Sequence, residues 1–219
     1  MARCRSWLLL CWLAVAVAPG AAHAQHTRDD QVPLGDLIEI VVMDDEILGI
    51  DAESGGSSVE RRRLAESVLW TGTRGRVGVV ITDQRVLAIA PQSGGWQETP
   101  YERGEPPARE AQLGDRVAVI VLPKRVVGFL GTVGRFVQER LGPQEHLRAL
   151  RVGANVAVIV TERVALGLSP QAGGFFRFQL HVHERITDVA AHSNLATVRT
   201  NERTLVFRAP TGTWAERRD

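Results

Sequence analysis

The chain of 219 residues reads as an all-β protein made of one unit of short antiparallel strands used five times over. Three observations predict this. First, five segments run nearly in parallel: 36–57, 75–96, 115–136, 154–175 and 193–214, with starts spaced by 39, 40, 39 and 39 residues. A period in this range marks an array of one supersecondary unit. Second, each segment places β-branched runs on both sides of a short polar break, which is a hairpin signal. Third, helical periodicity is nearly absent. Only 59–69 reads as helical by itself, and the repeat phase argues against it.

From the N-terminus, Arg3 and Arg5 precede an unbroken apolar run of 12 residues, Trp7 to Ala18, and Pro19-Gly20 then ends any helix. Ala22-His23-Ala24 offers the small-x-small pattern of a signal peptidase site. Residues 1–24 are therefore expected to be a secretory signal peptide, and 25–219 a single five-repeat domain. The run falls short of the roughly 20 residues that span a bilayer, so no transmembrane span is expected after cleavage. The expected location is periplasmic or extracellular. Cys4 and Cys11 both lie in the removed segment, which leaves the exported chain without a disulfide or a cysteine-ligated metal. A formal net charge of +1, falling to −1 without Arg3 and Arg5, excludes a nucleic-acid partner reached through a basic surface.

In the second copy, Val77 to Ile81 is the first strand, Thr82-Asp83-Gln84-Arg85 the break and Val86 to Ile89 the second strand. Ser93-Gly94-Gly95 then supplies a tight turn, repeated as Ser54-Gly55-Gly56 and Ala172-Gly173-Gly174, where glycine provides positive φ. An aromatic follows in four copies: Trp96, Phe136, Phe175 and Trp214. The connectors 58–74, 97–114, 137–153 and 176–192 have 17, 18, 17 and 17 residues and alternate apolar with polar, enough for two further strands each. The end pieces 25–35 and 215–219, with 11 and 5 residues, together amount to about one more connector.

Four antiparallel strands per repeat of this length resemble the blade of a β-propeller. The resemblance is to five-bladed propellers in general and covers the mature chain, without the motif of a specific family. It implies a ring closed by pairing of the N- and C-terminal segments.

Several side chains recur at fixed repeat positions. Trp96, Phe136, Phe175 and Trp214 either stack on sugar rings, one per blade, or fill the wedge between blades, and packing is the reading favoured. Arg85, Arg125, Arg163 and Arg203 recur near the hairpin break, and Glu66, Glu105, Glu145 and Glu184 precede the last four cores. Opposite charges at a constant spacing predict one structural ion pair per blade. His181-Val182-His183 on a strand would put two imidazoles on one face, a weak metal motif seen in one copy only. No nucleophile elbow, catalytic triad, phosphate loop or glycosidase carboxylate pair is in evidence, and the constant period leaves no spare chain for a deep pocket. No catalytic residue, resident metal or cofactor is therefore assigned.

The sequence thus leads to an exported, non-catalytic binding or scaffold protein for a protein or glycan of the cell envelope; it leaves the oligomeric state open and is compatible with a monomer. A multivalent glycan-binding propeller is the alternative, and a hydrolase with an axial site comes third.

Overall fold

Valine, isoleucine and leucine dominate the paired runs of each repeat, and residues of this kind are best accommodated on a pleated sheet covered on both faces. The computed structural model describes residues 35–143 and 145–218. It contains five antiparallel sheets, one after another in chain order. The first has three strands, β1 (Ile38–Val42), β2 (Glu46–Asp51) and β3 (Ser57–Arg61). The second has four: β4 (Val68–Arg74), β5 (Val77–Thr82), β6 (Arg85–Ile89) and β7 (Gln97–Pro100), with a single 3-10 turn, Pro91–Ser93, between the last two. The third comprises β8 (Gln112–Leu113), β9 (Val117–Val121), β10 (Arg125–Leu130) and β11 (Arg135–Arg140). The fourth comprises β12 (Leu147–Val152), β13 (Ala157–Thr161), β14 (Val164–Ser169) and β15 (Gly174–Gln179). The fifth is β16 (Ile186–Ala191), β17 (Leu195–Thr200), β18 (Arg203–Arg208) and β19 (Thr213–Arg218).

Successive sheets pack face to face, with contacts such as β1 on β5, β5 on β9, β9 on β13 and β13 on β17. The middle strands β5, β6, β10 and β14 are buried along their whole length, as their continuous apolar runs require. A main-chain hydrogen bond recurs at each junction: Leu37 to Gly75, Arg76 to Asp115, Arg116 to Ala154 and Asn155 to Ser193, each N–H donating to the carbonyl of the next sheet. The turns that follow the second strand of the hairpin use left-handed glycines, with φ of +65° at Gly94, +84° at Gly173 and +64° at Gly212.

Every strand pairing among the described residues lies within one sheet. The C-terminal residues through Arg218 form β19, which pairs with β18, so the last sheet is completed by its own repeat. The expected signal peptide and, apart from Gly35, the expected closing strand at 25–35 lie outside the described residues. Among the described residues, no helix is long and apolar enough to cross a membrane.

Candidate functional site

The recurrent ion pairs form the first constellation. Arg85 is 3% exposed at its side chain and Glu66 0%, and Arg85 Nε donates to Glu66 Oε1 at 2.9 Å. Thr82, two places before the end of the hairpin turn, donates its hydroxyl to the same Oε1 at 2.8 Å, and Arg63 N donates to Oε2 at 2.6 Å. Arg85 Nη2 also reaches the Arg61 carbonyl at the end of the preceding sheet, at 2.9 Å. The pair thus clamps the chain where it crosses from one sheet to the next. The fifth sheet repeats the clamp: Arg203 to Glu184 at 2.9 Å, Thr200 to Glu184 at 2.8 Å and His181 N to Glu184 at 2.9 Å. In the third sheet, Arg125 binds Glu105 at 2.7 Å and the Pro100 carbonyl at 2.8 Å. Burial alone raises the Glu66 and Glu184 pKa values, but the arginine, backbone and threonine donors outweigh it and hold both at about 2.

The fourth sheet departs from the expected pattern. Arg163 is exposed on the hairpin turn, and Val164 occupies the first position of β14, where Arg85, Arg125 and Arg203 open their strands. Glu145 instead receives Arg177 of β15 at 3.0 Å, while Gly142 N donates to it at 2.7 Å. The one-residue offset moves the arginine out of reach, and a different strand supplies the guanidinium.

The four recurrent aromatics are half-buried against neighbouring sheets. Trp96 lies over Gly49 of the first sheet, and its indole donates to the carbonyl of Ser58 at 3.1 Å. Ser58 is the register partner of Gly49. Trp214 donates likewise to Phe176 O at 2.9 Å, and Phe176 is the register partner of Gly167. A Cβ on Gly128 would lie 3.1 Å from Phe175, and one on Gly167 would lie 2.5 Å from Phe207. Phe136 meets Phe129 edge-on, with centroids 5.1 Å apart. The small residue in the middle of β2, β10 and β14 is thus required by the close approach of a ring from the next sheet. Glycine inside an apolar strand was the available sequence signal for this pairing.

His181-Val182-His183 is a turn rather than a strand, closed by Glu184 N donating to the His181 carbonyl at 3.1 Å. The two imidazoles therefore do not share a strand face. His181 Nδ1 lies 3.1 Å from Glu202 and 4.0 Å from Glu184, and His183 is not part of this group. Glu184 already accepts from Arg203 Nε and Nη2, Thr200 and His181 N, so its oxygens are poorly placed to ligate a cation.

A cleft of about 530 Å³ opens beside β9, lined among others by Pro106, Pro107, Val119, Val121, Leu147 and Leu150. Its origin is local. The inner strand has six or seven residues in β4, β12 and β16 but two in β8, since residues 108–111, at the places where the first part of β4 pairs with β5, make no ladder with β9; Pro106-Pro107 directly precede this stretch. β8 covers β9 only through the pairs Gln112↔Val119 and Leu113↔Ala118. At the equivalent of Val121, Ile81 pairs with Trp70 and Val160 with Ala149. Gly114 N donates to Val117 O on this edge while Leu122 N donates to Arg125 O on the other, so strand parity turns the Val121 backbone toward the cleft. The loop 101–111 forms one wall of the cleft and is anchored at its start. Tyr101 donates to Thr82 O at 3.0 Å, its pKa pushed up to about 12 chiefly by burial, and the Arg125–Glu105 pair pins the turn that follows.

No protein-family model matches this chain. No curated protein matches it either. Solved structures that align with most of this chain include β-propeller-like proteins, at low identity and with TM-scores below 0.5. Apo AztD from Citrobacter koseri is 13% identical with a TM-score of 0.39, covering 83% of this chain and 59% of its own. PorZ of Porphyromonas gingivalis, described as a bacterial surface component of the type-IX secretion system, is 10% identical with a TM-score of 0.40, covering 87% and 27%. Prp20p of Saccharomyces cerevisiae, described with its binding to Gsp1p and histones, is 10% identical with a TM-score of 0.41, covering 80% and 56%. This chain spans 59% or less of each of these three.

Proposed function

We propose that this is an exported, non-catalytic binding protein that takes up an extended segment of a protein partner along the open edge of β9. The observation that carries the reading is the unpaired strand edge at Val121, set in an apolar cleft with walls at Pro106, Pro107, Leu147 and Leu150. A strand edge supplies main-chain hydrogen bonds to any extended peptide, and flanking apolar walls select alternate side chains. The anchored 101–111 loop keeps the slot formed in advance, which lowers the ordering cost of binding. Export rests on the pattern of residues 1–24. The lectin reading draws on Trp96, Phe136, Phe175 and Trp214, whose rings are engaged between sheets, so the cleft supports the peptide reading better.

The test is selection of linear peptides from a displayed random library, followed by titration into isotope-labelled protein. Peptides with alternating apolar residues that shift Val121 and slow its amide exchange, and that lose binding to the Leu147→Glu variant, are the expected result. Selected ligands that map elsewhere, or that bind Leu147→Glu unchanged, contradict it. Leu147 is 42% exposed, and unchanged melting of the variant is the control that its fold is intact.

A further inference from the structure

The two end sheets differ from the inner ones in a matched way. At the four positions equivalent to Leu195, Ile38 is 1% exposed and Val77, Val117 and Val156 are 0% exposed, whereas Leu195 is 45% exposed. Its face of the last sheet continues through Thr197, Arg199, Thr204, Val206 and Arg208, with both arginines exposed. On the first sheet the corresponding outer face carries Glu39 and Val41 on β1, with Met43 just past its end, then Glu46, Leu48 and Ile50 on β2 and Ser57, Val59 and Arg61 on β3. Val41 is 39% and Met43 37% exposed.

Opposite charges predominate on the two faces: Arg199, Arg208 and Arg217, with Asp188 beside Arg199, on the last sheet, and Glu39 and Glu46, with Arg61 beside Glu46, on the first. The faces also complement each other in volume. At each inner junction a small residue of one sheet corresponds to an aromatic of the next: Gly49 with Trp96, Ala88 with Phe136, Gly128 with Phe175 and Gly167 with Trp214. At the ends the order is reversed. Val206 holds the small-residue position of the last sheet, and Ser57 holds the aromatic position of the first. A Val206–Ser57 contact keeps the filled volume of the junction with the bulk moved to the other side. The main-chain bond that recurs at every inner junction has its next donor and acceptor in register, Asn194 N and Asp36 O.

We propose that the outer face of the last sheet docks on the outer face of the first sheet of a second copy, so that the face-to-face packing continues between molecules. Among the described residues neither face is packed against another sheet, and the charge, volume and main-chain register that the two faces share are the grounds for a second copy as the occupant. The contact is heterologous, head to tail, and so builds either closed rings or filaments.

The test is sedimentation of the purified protein, expressed from its full-length sequence, from about 1 to about 100 μM. Wild type is expected to assemble with rising concentration. The variants Arg199→Glu/Arg208→Glu and Glu39→Arg/Glu46→Arg are each expected to weaken assembly about tenfold or more, through like charges brought together. Mixing the two variants should restore it, because each presents a native face to the other. Unchanged circular dichroism and melting in each variant confirm that these exposed substitutions leave the fold intact. A monomer across the whole range overturns the proposal. So does assembly that charge reversal leaves unaltered. Monomers destabilised by either reversal but restored by all four substitutions in one chain would show that the chain's own ends meet, which also overturns it.

Discussion

Replacing Glu66 by glutamine isolates the energetic content of the buried clamp. Glutamine keeps the shape of the side chain but removes the charge that Arg85 faces at 2.9 Å. The native pKa of Glu66 is about 2 against an ordinary 4.5, so the native state binds its proton more weakly than the unfolded chain does. Stability from this group is therefore complete above 4.5 and disappears as the pH falls toward 2. A depression of that size corresponds to about 3 kcal/mol. Since the neutral amide mimics the protonated acid, Glu66→Gln should cost about 3 kcal/mol at pH 7, a fall in Tm of about 6–12 °C for a domain of this size. Arg85 keeps Glu60 at 2.7 Å and Glu98 at 2.5 Å, which limits any larger loss. The assay is urea unfolding followed by tryptophan fluorescence at pH 7 and again near pH 2. The variant should lose most of its deficit at the lower pH. A loss below about 1 kcal/mol at pH 7, or the same loss at both pH values, would refute the reasoning.

Arg125→Ala removes a guanidinium that is 5% exposed and leaves Glu105 buried without its partner, so it should cost about 3–5 kcal/mol, whereas exposed Arg163→Ala should fall within about 0.5 kcal/mol of wild type by the same unfolding assay. Gly167→Ala places a Cβ 2.5 Å from the fully buried Phe207 ring, and overpacking there should cost about 1–3 kcal/mol in thermal or urea melts. Trp214→Phe keeps an aromatic but smaller side chain and leaves the Phe176 carbonyl without its donor, with an expected loss of at least about 1 kcal/mol in the same melts.

Much of the fold is legible in the sequence, because sheets covered on both faces demand long β-branched runs and the runs recur at a constant period. The clamp is legible for the same reason: a threonine, an arginine three places later and a glutamate upstream recur together at 82, 85 and 66 and again at 200, 203 and 184. The cleft is less so. Its connector has nearly the same length as the others, and Pro106-Pro107 only precede the stretch 108–111 that fails to pair. Constant repeat length thus does not exclude a pocket, since one can arise by withdrawing a strand rather than inserting a loop. His181 to His183 was misleading for a related reason. Alternation over three residues is equally compatible with a turn, and the Glu184 clamp three residues on from His181 selects the turn.

Native-state hydrogen exchange at three equivalent amides, Ile81, Val121 and Val160, addresses the open β9 edge most directly. Ile81 and Val160 are paired across by Trp70 and Ala149, while β8 ends before it reaches Val121. The account predicts that the Val121 amide exchanges through local fluctuation, by orders of magnitude faster than the other two, which open only with the sheet. Equal protection at all three would mean that the β9 edge is closed and would contradict the proposed binding site.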